Sequence, residues 1–323
     1  MILTLLLIIP FLGALLLSLW PEGSTPAQLR RLTLVILSVQ CLASFAVLFW
    51  FDPSNPGLQL QERLPWLPSV GLDYSLAVDG ISLPLVLMNA VLCLVSAVAS
   101  RKIENRPRIY FALLLIISGA VNGAFLAQNL LLFFLFYELE LIPLWLLIAI
   151  WGGANRAYAS TKFLIVTAVS GVLILGAFLG ISLVTGSVDF GIRPILSGEM
   201  GLTSQLLLMG ALLIGFGIKI PLFPFHTWLP DAHTEASTPV SVLLAGVLLK
   251  LGTYGLLRFC LGLLPEAWEI ASPWLALWAA ISVLFGSLAA IAHSDMKRMV
   301  AYSSVGHMGY VLLAAAAATP LGL

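Results

Sequence analysis

Lys219-Ile220-Pro221-Leu222-Phe223-Pro224-Phe225-His226-Thr227-Trp228-Leu229-Pro230-Asp231-Ala232-His233 follows a long apolar run, and its reading decides the fold. Pro221 and Pro224 have no amide hydrogen to give a helix. A helix reaching Gly217-Ile218-Lys219 is therefore predicted to break just past the lysine. The run before it, 205–222, is long enough to cross a bilayer, for which about 20 apolar residues suffice. Unwound backbone at membrane depth is tolerated only where protein or water surrounds it. The stretch thus predicts a lysine at an interrupted helix inside a membrane bundle.

The rest of the chain agrees. Sixty per cent of the 323 residues are hydrophobic, 9% are charged, and the mean hydropathy is +1.06. So little charge cannot cover a water-exposed globule, where about a quarter of residues are charged. The fold class is all-α, a multi-pass transmembrane bundle with a discontinuous helix near 219–230. Ten spans are predicted, at 2–20, 32–51, 81–100, 109–129, 130–151, 163–184, 205–222, 238–260, 272–292 and 299–319. The first is kept as a span because Met1-Ile2-Leu3 holds no basic leader and no small-residue cleavage site precedes Trp20. The long connections 52–80 and 185–204, rich in Gly, Pro and polar residues, are expected to be loops on the outer face.

Charge sets the orientation. The odd-numbered connections hold Arg30, Arg31, Arg101, Lys102, Arg106, Arg108, Arg156, Lys162, Lys297 and Arg298; the even-numbered ones hold Arg63, Arg193 and Arg258. Ten against three places the odd connections in the cytoplasm. The net charge of zero gives no basic footprint for nucleic acid. Cys41, Cys93 and Cys260 are scattered in apolar runs with no CxxC pair, which argues against a cysteine-ligated cluster or zinc. Gly215-Phe216-Gly217 begins a GxG, but Ile220 takes the third glycine's place and no strand precedes it, so no nucleotide site is expected.

Four ionisable groups lie deep in apolar segments: Glu138, Glu140, Lys219 and Lys250. Each costs about 2.5–3.5 kcal/mol near a bilayer centre on insertion scales, so function is the default explanation. In Phe136-Tyr137-Glu138-Leu139-Glu140-Leu141-Ile142-Pro143 a continuous helix would turn the two carboxylates about 200° apart. Pro143 leaves the Leu139 carbonyl without a helical donor, an acceptor for water or a protonated carboxyl. Static ion pairing is the alternative. At Lys219 the helix end favours the cation and desolvation the amine, which suits loading and release of a proton. Lys250 has no acid within a helical turn, and Thr253 and Tyr254 can offer it hydroxyl oxygens. His226 and His233 suit a proton relay better than a metal site, for which a third well-spaced ligand is missing. His307, inside the last span, is a further relay candidate. His293, beside Ser294-Asp295-Met296-Lys297-Arg298, is expected to be interfacial and inert.

Three runs carry a resemblance: 138–143, 219–233 and Met296-Lys297-Arg298-Met299-Val300-Ala301-Tyr302-Ser303-Ser304-Val305-Gly306-His307-Met308-Gly309. They closely resemble the antiporter-like, proton-translocating membrane subunits of complex I, including those of the cyanobacterial and plastid NAD(P)H-quinone oxidoreductase. The resemblance implies two inverted five-helix repeats, each with one interrupted helix. Residues 1–108 would hold the first three helices, 109–260 the first repeat, and 261–323 the start of a second repeat, expected to be incomplete. Members of the family continue with a second broken helix, another histidine and an outlet charge. The resemblance also implies that Glu138 pairs with Lys219, and that protons pass on to Lys250 through water and histidines such as His307. NAD(P)H or ferredoxin, iron–sulfur clusters and the quinone would belong to other subunits, with this chain binding no cofactor or metal. Its partners would be other membrane subunits, antiporter-like ones among them, in a cyanobacterial thylakoid or bacterial inner membrane. A cation/proton antiporter subunit and a passive membrane scaffold are the rival readings.

Overall fold

The structure, a computed structural model, describes residues 1–21, 23–193 and 199–317. Among these, nine helical segments are long and apolar enough to span a membrane, and Ile2–Ser18 is a shorter apolar helix. All ten predicted spans are present; residues 318 and 319 of the last lie outside the described residues. The helices are α1 (Ile2–Ser18), α2 (Pro26–Ala46), α3 (Ser82–Ala99), α4 (Pro107–Leu126), α5 (Leu130–Leu139), α6 (Leu141–Trp151) and α7 (Arg156–Thr185). They continue as α8 (Leu202–Lys219), α9 (Trp228–Glu235), α10 (Thr238–Leu243), α11 (Leu249–Gly255), α12 (Pro265–Ala292) and α13 (Met296–Ala317). Starts are written locally. Thr25 and Gln28 form a reciprocal capping box ahead of α2, and Asn129 Oδ1 accepts from the amides of Leu131 and Leu132 at the head of α5. Each satisfies helix-end donors that would otherwise be orphaned in lipid.

The chain divides into two compact units, Met1–Trp151 with Ser237–Val247, and Gly152–Ala236 with Leu248–Leu323. In the first, α4 is buried on nearly every side and packs against α1, α2, α3 and α5. A polar ladder ties these helices together: Ser118 Oγ donates to Gln40 Oε1 at 2.9 Å. Asn89 Nδ2 donates to the Ser118 carbonyl at 3.0 Å and to Asn122 Oδ1 at 2.8 Å. Where lipid removes the hydrophobic drive between helices, such bonds contribute about 0.6 kcal/mol each.

Residues 52–80, expected to be loop, instead contain a hairpin of β1 (Gln59–Leu67) and β2 (Leu72–Val78), with Arg63 opposite Ser75. Leu72, Leu76, Ala77 and Val78 are buried, while Asp73, Tyr74 and Ser75 between them are half-buried. Gly71, at φ +69°, makes the turn that a side chain would strain. The Glu62 carboxylate accepts from the Leu3 and Thr4 amides at 3.0 Å, capping α1 from outside its own segment. Burial works against that charge, but the Met1 amino group, the Thr4 hydroxyl and the two amides outweigh it and hold the carboxyl below its usual range.

In the second unit α12 and α13 pack backbone to backbone. A Cβ on Gly286 would stand 2.5 Å from the Gly306 amide nitrogen, so only glycine permits this approach. Ser170 Oγ donates to the Gly215 carbonyl at 2.7 Å and joins α7 to α8.

Within each unit the connections pair by parity. Arg108 reaches the Pro21 carbonyl, and Trp151 reaches that of Asn105. On the opposite side, Asn129 reaches Gly71, and the Gln128 amide reaches Ser75. In the second unit Lys162 meets Asp231, and Lys297 meets the carbonyls of Thr234 and Ala236. Odd connections bond to odd and even to even, as the count of ten spans requires.

Candidate functional site

Helix α8 ends at Lys219, where the prolines predict. Pro221 cannot serve the Gly217 carbonyl, so the Leu222 amide does, at 2.9 Å. That withdraws Leu222 from the Ile218 carbonyl, its partner in a regular helix. The indole of Trp228, at the start of α9, donates to Ile218 instead at 2.8 Å. The Phe223 amide, lost to Lys219 for the same reason, donates to Ser282 Oγ at 3.2 Å, and the Phe223 carbonyl accepts from Trp278 Nε1 at 2.5 Å. Leu222, Trp228 and Ser282 supply partners that the proline-broken helix denies, and Trp278 serves the carbonyl of the unwound Phe223, as burial away from water demands. Trp278 and Ser282 of α12 belong to the site, yet nothing in their own sequence marks them.

Helix α9, after the break, is anchored at its middle and at its C-terminal end. Asp231 of α9 pairs with Lys162 of α7 at 2.7 Å, both half-buried. Lys297 Nζ donates to the carbonyls of Thr234 and Ala236 at 3.1 and 2.8 Å. A cation at a helix C-terminus satisfies orphan carbonyls and complements the dipole. Thus two residues of the positive-inside count are also structural parts of the site. The Glu235 backbone carbonyl accepts from Gly153 at 2.8 Å and its carboxylate from the Asn155 amide at 2.9 Å. Asn155, Tyr158, Asp231, Thr234, Glu235 and Arg298 line a polar cavity of about 170 Å³ on this face.

Lys219 is completely buried. Lys250 lies on α11 in the same unit and is half-buried. A Cβ on Gly252 would lie 3.3 Å from Lys219 Cβ and 2.9 Å from Ile220 Cγ1. Glycine therefore lets the helix that carries Lys250 press directly on the break that carries Lys219. The expected continuous span 238–260 is not regular: π-helical turns at Leu244–Leu248 and Leu256–Leu261 flank α11. Such turns cluster at functional positions. Thr253 Oγ1 donates to the Leu249 carbonyl at 3.0 Å, and Tyr254 Oη accepts from Arg258 Nε at 3.3 Å.

His226 and His233 are 5% and 6% exposed, on the turn after the break and in the last turn of α9. His226 packs among the rings of Phe223, Phe285 and Tyr302. His307 lies on α13 with its side chain exposed at the surface of the chain. The two glutamates belong to the first unit. Glu140 is fully buried and Glu138 half-buried. The expected continuous helix through them is interrupted: α5 stops at Leu139, Glu140 is the junction, and α6 begins at Leu141. Pro143 explains the position, because its missing amide and ring bear on the carbonyl four residues back, that of Leu139. Glu140 nevertheless keeps right-handed helical dihedrals, φ −74° and ψ −24°. Among the described residues no group of three or more His, Cys, Asp or Glu side chains is placed to hold a metal ion.

Residues 127–323 match the family described as NADH:quinone oxidoreductase/Mrp antiporter, transmembrane. The chain belongs to this family. Among its relatives, NAD(P)H-quinone oxidoreductase chain 4 2 of Microcystis aeruginosa is 44% identical over 98% of the chain, and chain 4 1 of Synechococcus sp. (strain JA-3-3Ab) is 45% identical over 98%. The chain spans 58% and 60% of the length of these two relatives. Among solved structures, respiratory complex I from Thermus thermophilus contains a family member superposing with TM-score 0.86 and 30% identity, covering all of this chain and 66% of that one. The Mrp complex from Dietzia sp. DQ12-45-1b shares the fold, with TM-score 0.85 at 22% identity, over all of this chain and 35% of that one. The chain is an integral, multi-pass, all-α membrane protein of the NADH:quinone oxidoreductase/Mrp antiporter family.

Proposed function

We propose that the chain is a proton-translocating membrane subunit of an NAD(P)H- or ferredoxin-linked quinone oxidoreductase, moving protons through buried Glu, Lys and His side chains. The observation that carries this reading is Lys219, fully buried at the end of an interrupted membrane helix. A charge placed there costs several kcal/mol, which makes function the default reading of an ionisable group at that depth. The resemblance assigns Glu138 as the carboxylate acting on Lys219. An ionised Glu138 favours the ammonium; once that influence weakens, desolvation favours the amine, and the proton leaves towards Lys250. Gly252, pressed on Lys219, keeps the two lysines on touching elements. His226, His233, His307 and Glu140 complete the proposed set, with residues 109–260 as one five-helix repeat. Electron transfer, through NAD(P)H or ferredoxin, iron–sulfur clusters and quinone, belongs in this reading to partner subunits in a thylakoid or bacterial inner membrane.

Lys219→Ala in the intact complex is expected to reduce redox-driven acidification of sealed vesicles to the uncoupled background. Proton transfer at the native rate would refute the reading. The family also includes Mrp antiporters, which favours a second reading, cation/proton exchange. Sodium-dependent proton movement with no quinone reductase present would establish it.

A further inference from the structure

His293 was expected to be inert, but its ring is not idle surface. It caps the C-terminus of α12, is half-buried, and stacks on Tyr302 of α13 with ring centroids 4.7 Å apart at 20°. Tyr302, also half-buried, faces His226 in turn, with centroids at 5.9 Å. His226 is 5% exposed, and its Nδ1 is buried without a hydrogen-bond partner among the described residues. Phe285 packs at 4.7 Å from His226 and 6.4 Å from Tyr302, walling the row with an apolar ring. An imidazole, a phenol and an imidazole thus stand in line, from the Lys/Arg-rich face to the segment just after the break. Packing alone needs no exchangeable protons in three successive rings, and Phe285 shows that a hydrocarbon ring fits beside them.

We propose that His293 and Tyr302 form the proton uptake route from the Lys/Arg-rich, cytoplasmic face to His226. The proposal rests on the proton-translocation reading and adds two residues to it. The route calls for one or two waters between the polar atoms of neighbouring rings, and a bridging water links polar groups nearly as well as a direct hydrogen bond. The His293 imidazolium gives a proton through water to the Tyr302 oxygen as the Tyr302 hydroxyl proton passes to His226 Nδ1. His293 is then reprotonated from the aqueous side, so one proton enters and no other bond changes.

The test uses the complete complex in inverted membrane vesicles, with proton uptake followed by a pH-sensitive dye during donor oxidation. His293→Ala is expected to slow uptake by about 10- to 100-fold, with added imidazole restoring it, because the missing proton carrier is supplied from solution. Tyr302→Phe, which keeps the ring, is expected to slow uptake similarly without rescue. The amount of assembled complex should match the native protein. Native uptake rates in either variant, or a loss in His293→Ala that imidazole does not restore, would overturn the route. Lys219→Ala separates the two ideas. If it abolishes uptake while the His293 and Tyr302 variants are unaffected, only the route fails; if it has no effect, the underlying reading fails.

Discussion

Two membrane spans of this chain are broken beside an ionisable residue, and they are broken differently. At Glu140 the helix stops and restarts within one residue, and the Leu144 amide already bonds to the Glu140 carbonyl at 3.1 Å. At Lys219 the chain leaves the helix until α9 resumes at Trp228. Pro143 is the third residue of its new helix, in the first turn, where a missing amide costs little. Pro221 and Pro224 fall where helical amides were still required, so the acceptors they orphan must be served from elsewhere. Trp228 and Trp278 donate to carbonyls of the interrupted stretch, and Ser282 accepts from the freed Phe223 amide. A lone proline near a helix start makes a joint; two prolines at a helix end make a site that depends on its neighbours.

The sharpest way to break this contrast is to remove the borrowed donors. Trp228→Phe and Trp278→Phe each leave a buried carbonyl unserved, which costs about 1–3 kcal/mol. The double variant should lose at least the sum, measured as lowered thermal midpoint of the complex in detergent. Full stability would mean that the unwound backbone is satisfied another way. Gly252→Ala should come next. Its Cβ would meet Ile220 Cγ1 at 2.9 Å, an overpacking cost of about 1–3 kcal/mol. Coupled proton movement should fall more than assembly, because the contact lies at the break itself. Lys297→Met removes the cation at the end of α9 and should cost about 0.5–1.5 kcal/mol, read as faster amide exchange in residues 228–236. The smallest effect belongs to the other break. Pro143→Ala should change stability by less than about 1 kcal/mol, and a larger loss would make the two breaks alike.

Much of this was legible in the residues. Hydropathy located all ten spans, and the prolines placed the break after Lys219 at the right residue. The lysine and arginine count grouped the odd connections, which bond to one another within each unit. The hairpin at 59–78 was not foreseen, because Pro and Gly in 52–58 dominate a reading by turn residues while the alternation after Gln59 is short. The interruption at Glu140 was half-foreseen: Pro143 indicated a freed carbonyl, but not that the helix would end there. His293 looked like an ordinary terminus residue because its partner, Tyr302, lies on the next helix. The π-helical turns around Lys250 have no simple sequence signature.

Sequence alone determined what is local: which segments cross the membrane, which connections share a side within each unit, and where proline denies the backbone its bonds. Those outcomes follow from covalent geometry and from the cost of polar groups in lipid, and both act residue by residue. Tertiary structure decided who answers for the denied bonds and what stands beside each buried charge. Trp278 reaching Phe223, Lys297 capping α9, and Gly252 against Lys219 each join segments far apart in the chain, and only packing brings such groups within bonding distance.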